Sequence, residues 1–375
     1  MAYINFGKID KKFIPILIGC IFSFFSRLLF TYKGTILFDH PLISNILATS
    51  SKYFTVIPFF IVKYNSAKAI KIKGLTATNT FIYRNIQNEI KKGKWKYIFL
   101  SAIIFFIQGS ILFFTMEVKT NLYIWNILIT CIFSHLVFSL KLYKHHYLSI
   151  LLIIITRFIL DLIYKNIQND FSQHWSKVLL RFLREIIFSL HDIVNKYAMD
   201  TKFVSVYEIS LYTGLITTVL FGAFSILDYF YFKLDNFKEY FDNFNTTELL
   251  VVFGYLITQL GLYLGALFTN KNNTPCHIFI IYIFGQLAYY FNFSENSIVI
   301  IICLVFILFL SLIFNEIIEI NCFGLSDNTK RKIIKRGESE DLITGKNYMI
   351  EENEEKEEKD DVLIELGNEE ISVKE

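Results

Sequence analysis

The feature that most constrains this chain is its succession of long apolar segments, because about 20 such residues form a helix long enough to cross a lipid bilayer. The composition agrees, since 54% of the 375 residues are hydrophobic and only 19% are charged, against about 25% charged in soluble domains. We therefore predict an all-α, polytopic membrane protein. Its ten predicted spans are 13–30, 42–62, 97–116, 121–140, 147–164, 178–198, 206–230, 249–269, 275–291 and 297–318.

Basic residues set the predicted orientation, because lysine and arginine are retained on the cytoplasmic side of a membrane. The segment 63–96 holds nine of them and residues 319–336 hold five more, whereas the segments on the opposite side hold six in all. A glycosylation sequon at Asn245 lies in the predicted outer loop 231–248. We therefore expect both termini in the cytoplasm. That arrangement requires an even number of spans and argues against a seven-helix receptor.

The ten spans divide into two sets of five near residue 170. With an odd number of spans in each half, the two halves insert in opposite orientations. This is the layout of inverted-repeat transporters, in which the substrate site lies between the halves near the middle of the membrane. We expect a cytoplasmic N-terminus at 1–12, a first half at 13–168, a second half at 169–322 and a cytoplasmic tail at 323–375.

The tail has a different composition from the rest of the chain. From about residue 337 it holds 15 acidic residues and four lysines, and such a segment buries too little apolar area to fold. Glu338, Leu342 and Ile343 fit an acidic dileucine sorting signal, although an acidic tail produces this pattern by chance about as often. The signal would bind sorting adaptors and favours a Golgi, endosomal or vacuolar membrane over the plasma membrane.

The sixth predicted span is strongly amphipathic. On a helix that turns about 100° per residue, its polar residues fall within an arc of roughly 160°. Three interpretations are open: the helix lines a water-filled pathway, it lies flat at the membrane surface, or its charges pair along the helix as Arg181–Glu185 and Asp192–Lys196. The polar residues are Arg181, Arg184, Glu185, Ser189, His191, Asp192, Asn195 and Lys196.

Other polar and small residues inside the spans have simpler structural interpretations. Arg157 and Asp161, four residues apart in the fifth span, either bind a ligand or pair with each other. We expect Arg27 and Lys52 to extend their charged ends towards the membrane surface. In the eighth span, Gly261 and Gly265 form a GxxxG pattern, which favours close packing against another helix.

The stretch HDIVNKYAMDTKFVSVYEISLYTGLITTVLFG resembles the start of the second half of drug/metabolite transporter superfamily proteins. This group includes EamA-type exporters and the nucleotide-sugar and triose-phosphate carriers. The matching positions are Lys196-Tyr197, Ser205-Val-Tyr207-Glu208 and Gly214. The resemblance implies a transporter with a central site between its halves that works by alternating access, with Tyr207 and Glu208 at the substrate site.

These observations predict a secondary transporter for a small polar or anionic metabolite. Arg157, Arg184 and Lys196 would bind the anionic group, next to Asn195. Asp161, Glu185 and Asp192 would hold those cations in register or accept a proton, and His191 would titrate near neutral pH. The expected partners are the small-molecule substrate and the lipid bilayer. We expect no nucleic acid, cofactor or metal ion.

Two other classes of protein stay open as alternatives. A multi-pass membrane enzyme needs convergent catalytic groups, and the chain has no HExxH or GxSxG motif. A membrane scaffold or receptor would instead signal through the acidic tail.

Overall fold

Each of the ten predicted spans overlaps a helix in the computed structural model of the chain. The structure describes residues 4–6, 13–30, 40–72, 93–115, 125–139, 142–164, 166–232, 237–242, 244–291 and 297–320. Its helices are α1 (Ile14–Phe30), α2 (Pro41–Ser50), α3 (Val56–Ile72), α4 (Lys94–Phe114), α5 (Trp125–Phe138), α6 (Lys144–Tyr164), α7 (Asn166–Thr201), α8 (Val206–Leu227), α9 (Phe237–Asp242), α10 (Thr246–Asn272), α11 (Ile278–Phe291) and α12 (Ser297–Phe314).

The fold class is all-α. The described part of the chain contains two short strands besides the helices, β1 (Ile4–Phe6) and β2 (Ile318–Ile320), which pair antiparallel. The predicted sorting signal at Glu338, Leu342 and Ile343 lies outside the described residues, as do most of the basic loop and the acidic tail.

Four helical stretches are long and apolar enough to cross a membrane: Pro41–Tyr64, Lys94–Phe114, Val206–Phe232 and Thr246–Asn272. Five further apolar helices are shorter within the described residues. Large apolar side chains face outwards along these helices, as at Leu17, Val219 and Ile298. An apolar exterior on helices of this length is typical of a bundle surrounded by lipid, and it indicates a helical membrane protein.

The second predicted span is not one regular helix. Residues Ser51–Thr55 form a 3-10 turn between α2 and α3. Hydroxyl groups cluster here and bond back to the main chain, as Ser51 Oγ does to the Ala48 carbonyl at 2.7 Å and Thr55 Oγ1 does to the Lys52 carbonyl at 2.6 Å. Such bonds compete with regular helical hydrogen bonding and bend helices. The run TSSKYFT therefore explains the break.

The helix around the sixth predicted span is longer than the sequence indicated. The segment 165–177 was expected to be a loop, but α7 begins at Asn166 and continues to Thr201. Its one non-helical residue is His174, with φ −140° and ψ 39°, which places a kink just before the predicted span. The predicted outer loop 231–248 similarly contains the short helix α9.

The helices of the two predicted halves are interleaved. Helix α1 packs along α10 and α11, whereas α7 packs along α4 and α5. Helix α2 lies on α8, and α6 lies on α12. The largest apolar cluster fills the space between α5, α6, α11 and α12. Most of the tight packing in the bundle is therefore between residues far apart in the sequence.

The GxxxG pattern lies where α10 crosses α1. A Cβ atom added to Gly265 would lie only 2.6 Å from the Cα atom of Gly19, and one added to Gly261 would lie 2.4 Å from the ring of Phe22. Because a main-chain atom cannot move aside as a side chain can, the two helices keep this separation only with glycine at Gly265.

We expect Gly265→Ala to lower the free energy of unfolding by about 1–3 kcal/mol, the usual cost of overpacking. The matched control is Gly222→Ala in α8, where no atom lies within 4 Å of the added Cβ. That change should be neutral or stabilise by about 0.5–1 kcal/mol, because alanine favours helix. Thermal unfolding of the purified variants in one detergent measures both effects. Equal melting temperatures for the two variants would contradict the close crossing.

Candidate functional site

Helix α7 turns its polar face into the bundle and its apolar face outwards. Glu185, Asp192 and Asn195 are buried, the first to 1% exposure, whereas Leu179 is 51% exposed. This distribution is the reverse of that on a helix at a water-facing surface. The interpretation in which this segment lies flat on the membrane is therefore wrong, because its polar face meets neighbouring helices.

Helix α5 satisfies the middle of this polar face. Asn126 Nδ2 donates to Ser189 Oγ at 2.9 Å and to the Glu185 carbonyl at 3.3 Å. Thr130 Oγ1 also donates to Ser189 Oγ, at 3.0 Å. A buried polar group left without a partner costs about 1–3 kcal/mol, so these bonds fix α5 and α7 in register.

Helices α4 and α10 satisfy the C-terminal part of the same face. Ser101 Oγ donates to Asn195 Oδ1 at 2.7 Å, and Asn270 Nδ2 donates to the Asp192 carbonyl at 2.7 Å. Lys196 Nζ lies 3.2 Å from Asp200 Oδ2 and donates to the Lys271 carbonyl at 3.1 Å. The polar face of α7 therefore contacts α4 and α5 of the first predicted half and α10 of the second.

The buried carboxylates have close cationic or imidazole neighbours. Arg184 Nη1 lies 2.7 Å from Glu185 Oε1, and His191 Nδ1 lies 3.6 Å from Asp192 Oδ1. These contacts join residues that are adjacent in sequence. Arg184 Nε and Glu185 Oε2 are buried with no hydrogen-bond partner among the described residues. The pair thus keeps one donor and one acceptor open.

The most unusual group near this face is Lys52, in the 3-10 turn between α2 and α3. Its side chain is 1% exposed, and Nζ has no hydrogen-bond partner among the described residues. Nζ lies 3.8 Å from the centroid of the Phe105 ring and 3.7 Å from that of Tyr263. The expectation that Lys52 extends to the membrane surface is therefore wrong, because its amine is enclosed by aromatic rings inside the bundle.

Aromatic rings compensate only part of the cost of burying this amine. A desolvated cation–π contact contributes on the order of 2 kcal/mol, and an ammonium group makes up to three hydrogen bonds in water. The effective penalty for burying an ion is several kcal/mol even after relaxation. An anion that reached Nζ would recover part of that cost.

Lys52 is held beside α7 and α8 by tight packing. A Cβ atom on Gly214 would lie 2.7 Å from Lys52 Cβ and 3.2 Å from the Thr49 carbonyl oxygen. Thr218 Oγ1 also bonds to Thr49 Oγ1 at 3.0 Å. The ring of Phe105 connects the amine to α7, since its centroid lies 5.5 Å from that of His191. Lys52, Phe105, Tyr263 and the α7 polar face are hereafter the central site.

The remaining predicted residues lie elsewhere. Glu208 is in the first turn of α8, where its backbone N–H bonds to Ser205 Oγ at 3.1 Å and its carboxylate meets Lys94 Nζ at 2.6 Å. Tyr207 packs on Phe268, with ring centroids 5.5 Å apart. These contacts connect α8 to α4 and α10 at the bundle end. The side chains of Arg157 and Asp161 lie outside the described residues.

Asn245, the predicted glycosylation residue, begins α10. Its side-chain oxygen accepts a hydrogen bond from the Glu248 N–H at 2.9 Å. The side-chain nitrogen, where a glycan would be attached, is not needed for that bond.

The sequence predicted the α7 part of the central site but not Lys52, Phe105 or Tyr263. Aromatic residues are so frequent here, with 40 Phe and 22 Tyr, that no single ring is informative. A usable signal was the lysine itself, because Lys52 lies ten residues inside a predicted span of 21. A charge at that depth is costly and usually faces a cavity or a partner.

Comparison with known proteins gives no assignment. No protein-family model matches the chain, and a search of curated proteins finds no match either.

We expect Lys52→Met to raise the melting temperature. Methionine keeps the unbranched stem and its contact with the rings, and it removes a buried amine that has no hydrogen-bond partner among the described residues. Lys63→Met, at an exposed position of α3, is the matched control and should change the melting temperature little. Thermal unfolding in detergent without added ligand checks this. A Lys52→Met protein markedly less stable than the control would mean that the amine has a stabilising partner.

Proposed function

We propose that this chain is a secondary transporter that binds a small anionic metabolite at the central site, between two halves of five spans each, and moves it by alternating access. The observation that carries the proposal is the buried amine of Lys52, which Phe105 and Tyr263 enclose and which has no hydrogen-bond partner among the described residues. A structural lysine would be paired or solvated. An amine buried at bilayer depth without such a partner is instead available to bind a ligand.

The groups around Lys52 suit a ligand that is anionic at one end and polar elsewhere. A carboxylate or phosphate oxygen accepts hydrogen bonds from an ammonium group. His191 and Asn195 carry further donors and acceptors on the same face of α7, within hydrogen-bond reach of each other at 3.2 Å. Arg184 and Glu185 lie six to eight residues from His191 and Asp192, about 9–12 Å along the helix axis.

The carboxylates give the site a means of coupling. Glu185 Oε2 has no hydrogen-bond partner among the described residues, so a proton can be added there without breaking one. Carboxylate and histidine chains serve as proton relays in membrane pumps and transporters. In this proposal Glu185, Asp192 and His191 carry the coupled proton, and Lys52 binds the anion.

The proposed inverted repeat is supported by which helices pack together. Number the ten spans in order, so that α7 is the sixth and α10 and α11 are the eighth and ninth. If the halves are related by symmetry, each span corresponds to the span five places away in the other half. The contacts of α1 with α10 and α11 then correspond to contacts of α7 with α4 and α5. All four contacts are present. The α2–α8 and α6–α12 contacts map onto themselves. A bundle without internal symmetry has no reason to obey this rule.

Movement would be centred on the broken second span. Non-helical backbone at membrane depth is tolerated where protein or a cavity surrounds it, and transporters form substrate sites at such breaks. The 3-10 turn carries Lys52 itself. A change in the angle between α2 and α3 would therefore move the binding amine relative to α7 and α8.

Ten crossings with both ends on one side are supported by the small sheet. Strand β1 precedes the first span and β2 follows the last, and Ile4 pairs with Ile320. Two strands can pair only on the same side of a membrane, so the number of crossings between them is even. The excess of basic residues in 63–96 makes that side cytoplasmic, and the dileucine-like signal in the tail favours an endomembrane location.

The first test is ligand binding by the purified full-length protein. A panel of phosphosugars, sugar nucleotides, organic anions, amino acids and organic cations is screened for thermal stabilisation, because a ligand specific for the folded state raises the melting temperature. We expect stabilisation by an anionic class, loss of that stabilisation in Lys52→Met, and its retention in Lys63→Met. Hits are then measured as uptake into liposomes with and without a pH gradient.

Two results would contradict the proposal. Equal stabilisation of Lys52→Met and wild type by the same anion would show that the amine is not the binding group. A folded protein that no compound of any class stabilises, and that gives no uptake, would favour a scaffold. Arg184→Lys separately tests a bidentate contact from Arg184, because lysine lacks the planar guanidinium fork.

A topology experiment tests the span number by itself. We expect tags at both termini to be digested by protease in sealed microsomes, and Asn245 to carry a glycan that Asn245→Gln removes. Tags on opposite sides would contradict an even number of spans. Unmodified Asn245 with both tags accessible would leave the number of spans even but would place loop 231–248 too close to the membrane for glycosylation.

A further inference from the structure

Two histidines and a glutamate meet at one end of the bundle, away from the central site. His145 and His146 lie in the first turn of α6, and Glu316 follows the end of α12. His145 Nε2 lies 3.1 Å from Glu316 Oε1, although the two residues are 171 positions apart in sequence. Both imidazoles are buried, and their ring centroids lie 4.0 Å apart with the ring planes tilted by 40°.

Glu316 is held in a conformation that glycine normally occupies. Its φ is +59°, and it lies where α12 ends. There the Ile317 N–H bonds to the Leu312 carbonyl at 2.9 Å and the Glu316 N–H bonds to the Ile313 carbonyl at 3.0 Å. This is a Schellman motif, in which the left-handed residue is usually glycine. The left-handed conformation costs a side-chain-bearing residue about 1–2 kcal/mol.

A strained residue that persists is a pointer to function. Glycine at position 316 would form the same helix end without the strain. What glutamate adds is a carboxylate, and that carboxylate is directed at His145. A ligand that binds this carboxylate would explain why glutamate rather than glycine occupies the position.

The donor atoms have the spacing of a metal site. One ligand atom from each of the three residues lies within 4.8 Å of the others. In a tetrahedral site with bonds of about 2.0–2.1 Å, neighbouring ligand atoms are about 3.3 Å apart, close to the His145–Glu316 separation. His145 Nδ1 is buried with no hydrogen-bond partner among the described residues, so that ring can turn or change tautomer without losing a second bond.

We propose that His145, His146 and Glu316 bind a divalent transition-metal ion such as Zn²⁺. Two imidazoles and one carboxylate are a known zinc ligand set that leaves a fourth position for water or another ligand. The histidines argue against Mg²⁺ and Ca²⁺, which prefer oxygen ligands. In the described structure His146 Nδ1 accepts a hydrogen bond from the Tyr143 N–H at 2.9 Å. Coordination through either nitrogen of that ring removes this bond, because Nδ1 then either binds the metal or carries the ring proton.

The position of the ion suggests what it does. The site joins the first turn of α6 to the end of α12, the last spans of the two proposed halves. A bound ion would therefore fasten α6 to α12 beside the β1–β2 sheet and oppose their separation. Binding of the ion does not depend on the proposed transport.

The test uses the full-length protein in detergent, freed of metal with a chelator and dialysed. Zn²⁺ is titrated against a chromogenic chelator, and the melting temperature is recorded with Zn²⁺ or Mg²⁺. We expect one Zn²⁺ per chain, a higher melting temperature with Zn²⁺ and no such rise with Mg²⁺. Glu316→Gln and His145→Ala should weaken the affinity at least about 100-fold, since losing even an outer partner of a ligand costs about 10–100-fold. His135→Ala, at an exposed position of α5, should bind as wild type.

Glu316→Gly keeps the test decisive if another variant fails to fold. Glycine relieves the left-handed strain, so this variant should be at least as stable as wild type in chelator while losing the Zn²⁺-dependent rise. Absence of a saturable site for one ion per chain would overturn the proposal. So would wild-type affinity in both Glu316→Gly and Glu316→Gln, because the ion would then be bound elsewhere.

Discussion

The constraint on which the rest of the structure depends is that lipid cannot hydrogen-bond. Helix α7 carries Glu185, Ser189, Asp192 and Asn195 through a bundle whose outer surface is apolar, so those groups must find partners within the protein. Helices α4 and α5 supply partners for the Asn195 and Ser189 side chains, and α10 bonds to the Asp192 main-chain carbonyl. The Glu185 and Asp192 carboxylates contact Arg184 and His191 of α7 itself. Each bond contributes only about 1 kcal/mol, but leaving the same group unpaired costs more. The polar face of α7 thereby selects its neighbours.

Among the buried polar groups of the described residues, Lys52 is conspicuous. The hydroxyls around it bond to the main chain, whereas its amine has two aromatic rings and no hydrogen bond among the described residues. Proteins accept unpaired buried groups mainly where function requires them. The arrangement sacrifices stability at the junction of several helices, and a binding anion would restore part of it. The same reasoning applies to Glu316, where the left-handed backbone conformation lowers stability.

Glycines determine how closely the helices around these groups approach. Gly265 lets α10 lie against Gly19 of α1, and Gly214 lets α8 lie against Lys52. In lipid, such contacts contribute dispersion energy that the surrounding hydrocarbon would otherwise supply, so only close approach is favourable. Because the contacts join segments distant in sequence, the central site is built from both proposed halves. A shift of one half relative to the other must alter it.

The sequence by itself determined the all-α class, the approximate position of most apolar helices and the polar face of α7, but not the break in the second span. These follow from local periodicity and from hydropathy, which depend on neighbours along one helix. Only the tertiary structure decided which way Lys52 points, which rings enclose it, and that Glu316 meets His145. Those facts depend on helix packing between residues 50 to 210 positions apart, and no local pattern records it. The sequence also misplaced the start of α7, because a charged amphipathic helix and a polar loop have similar hydropathy.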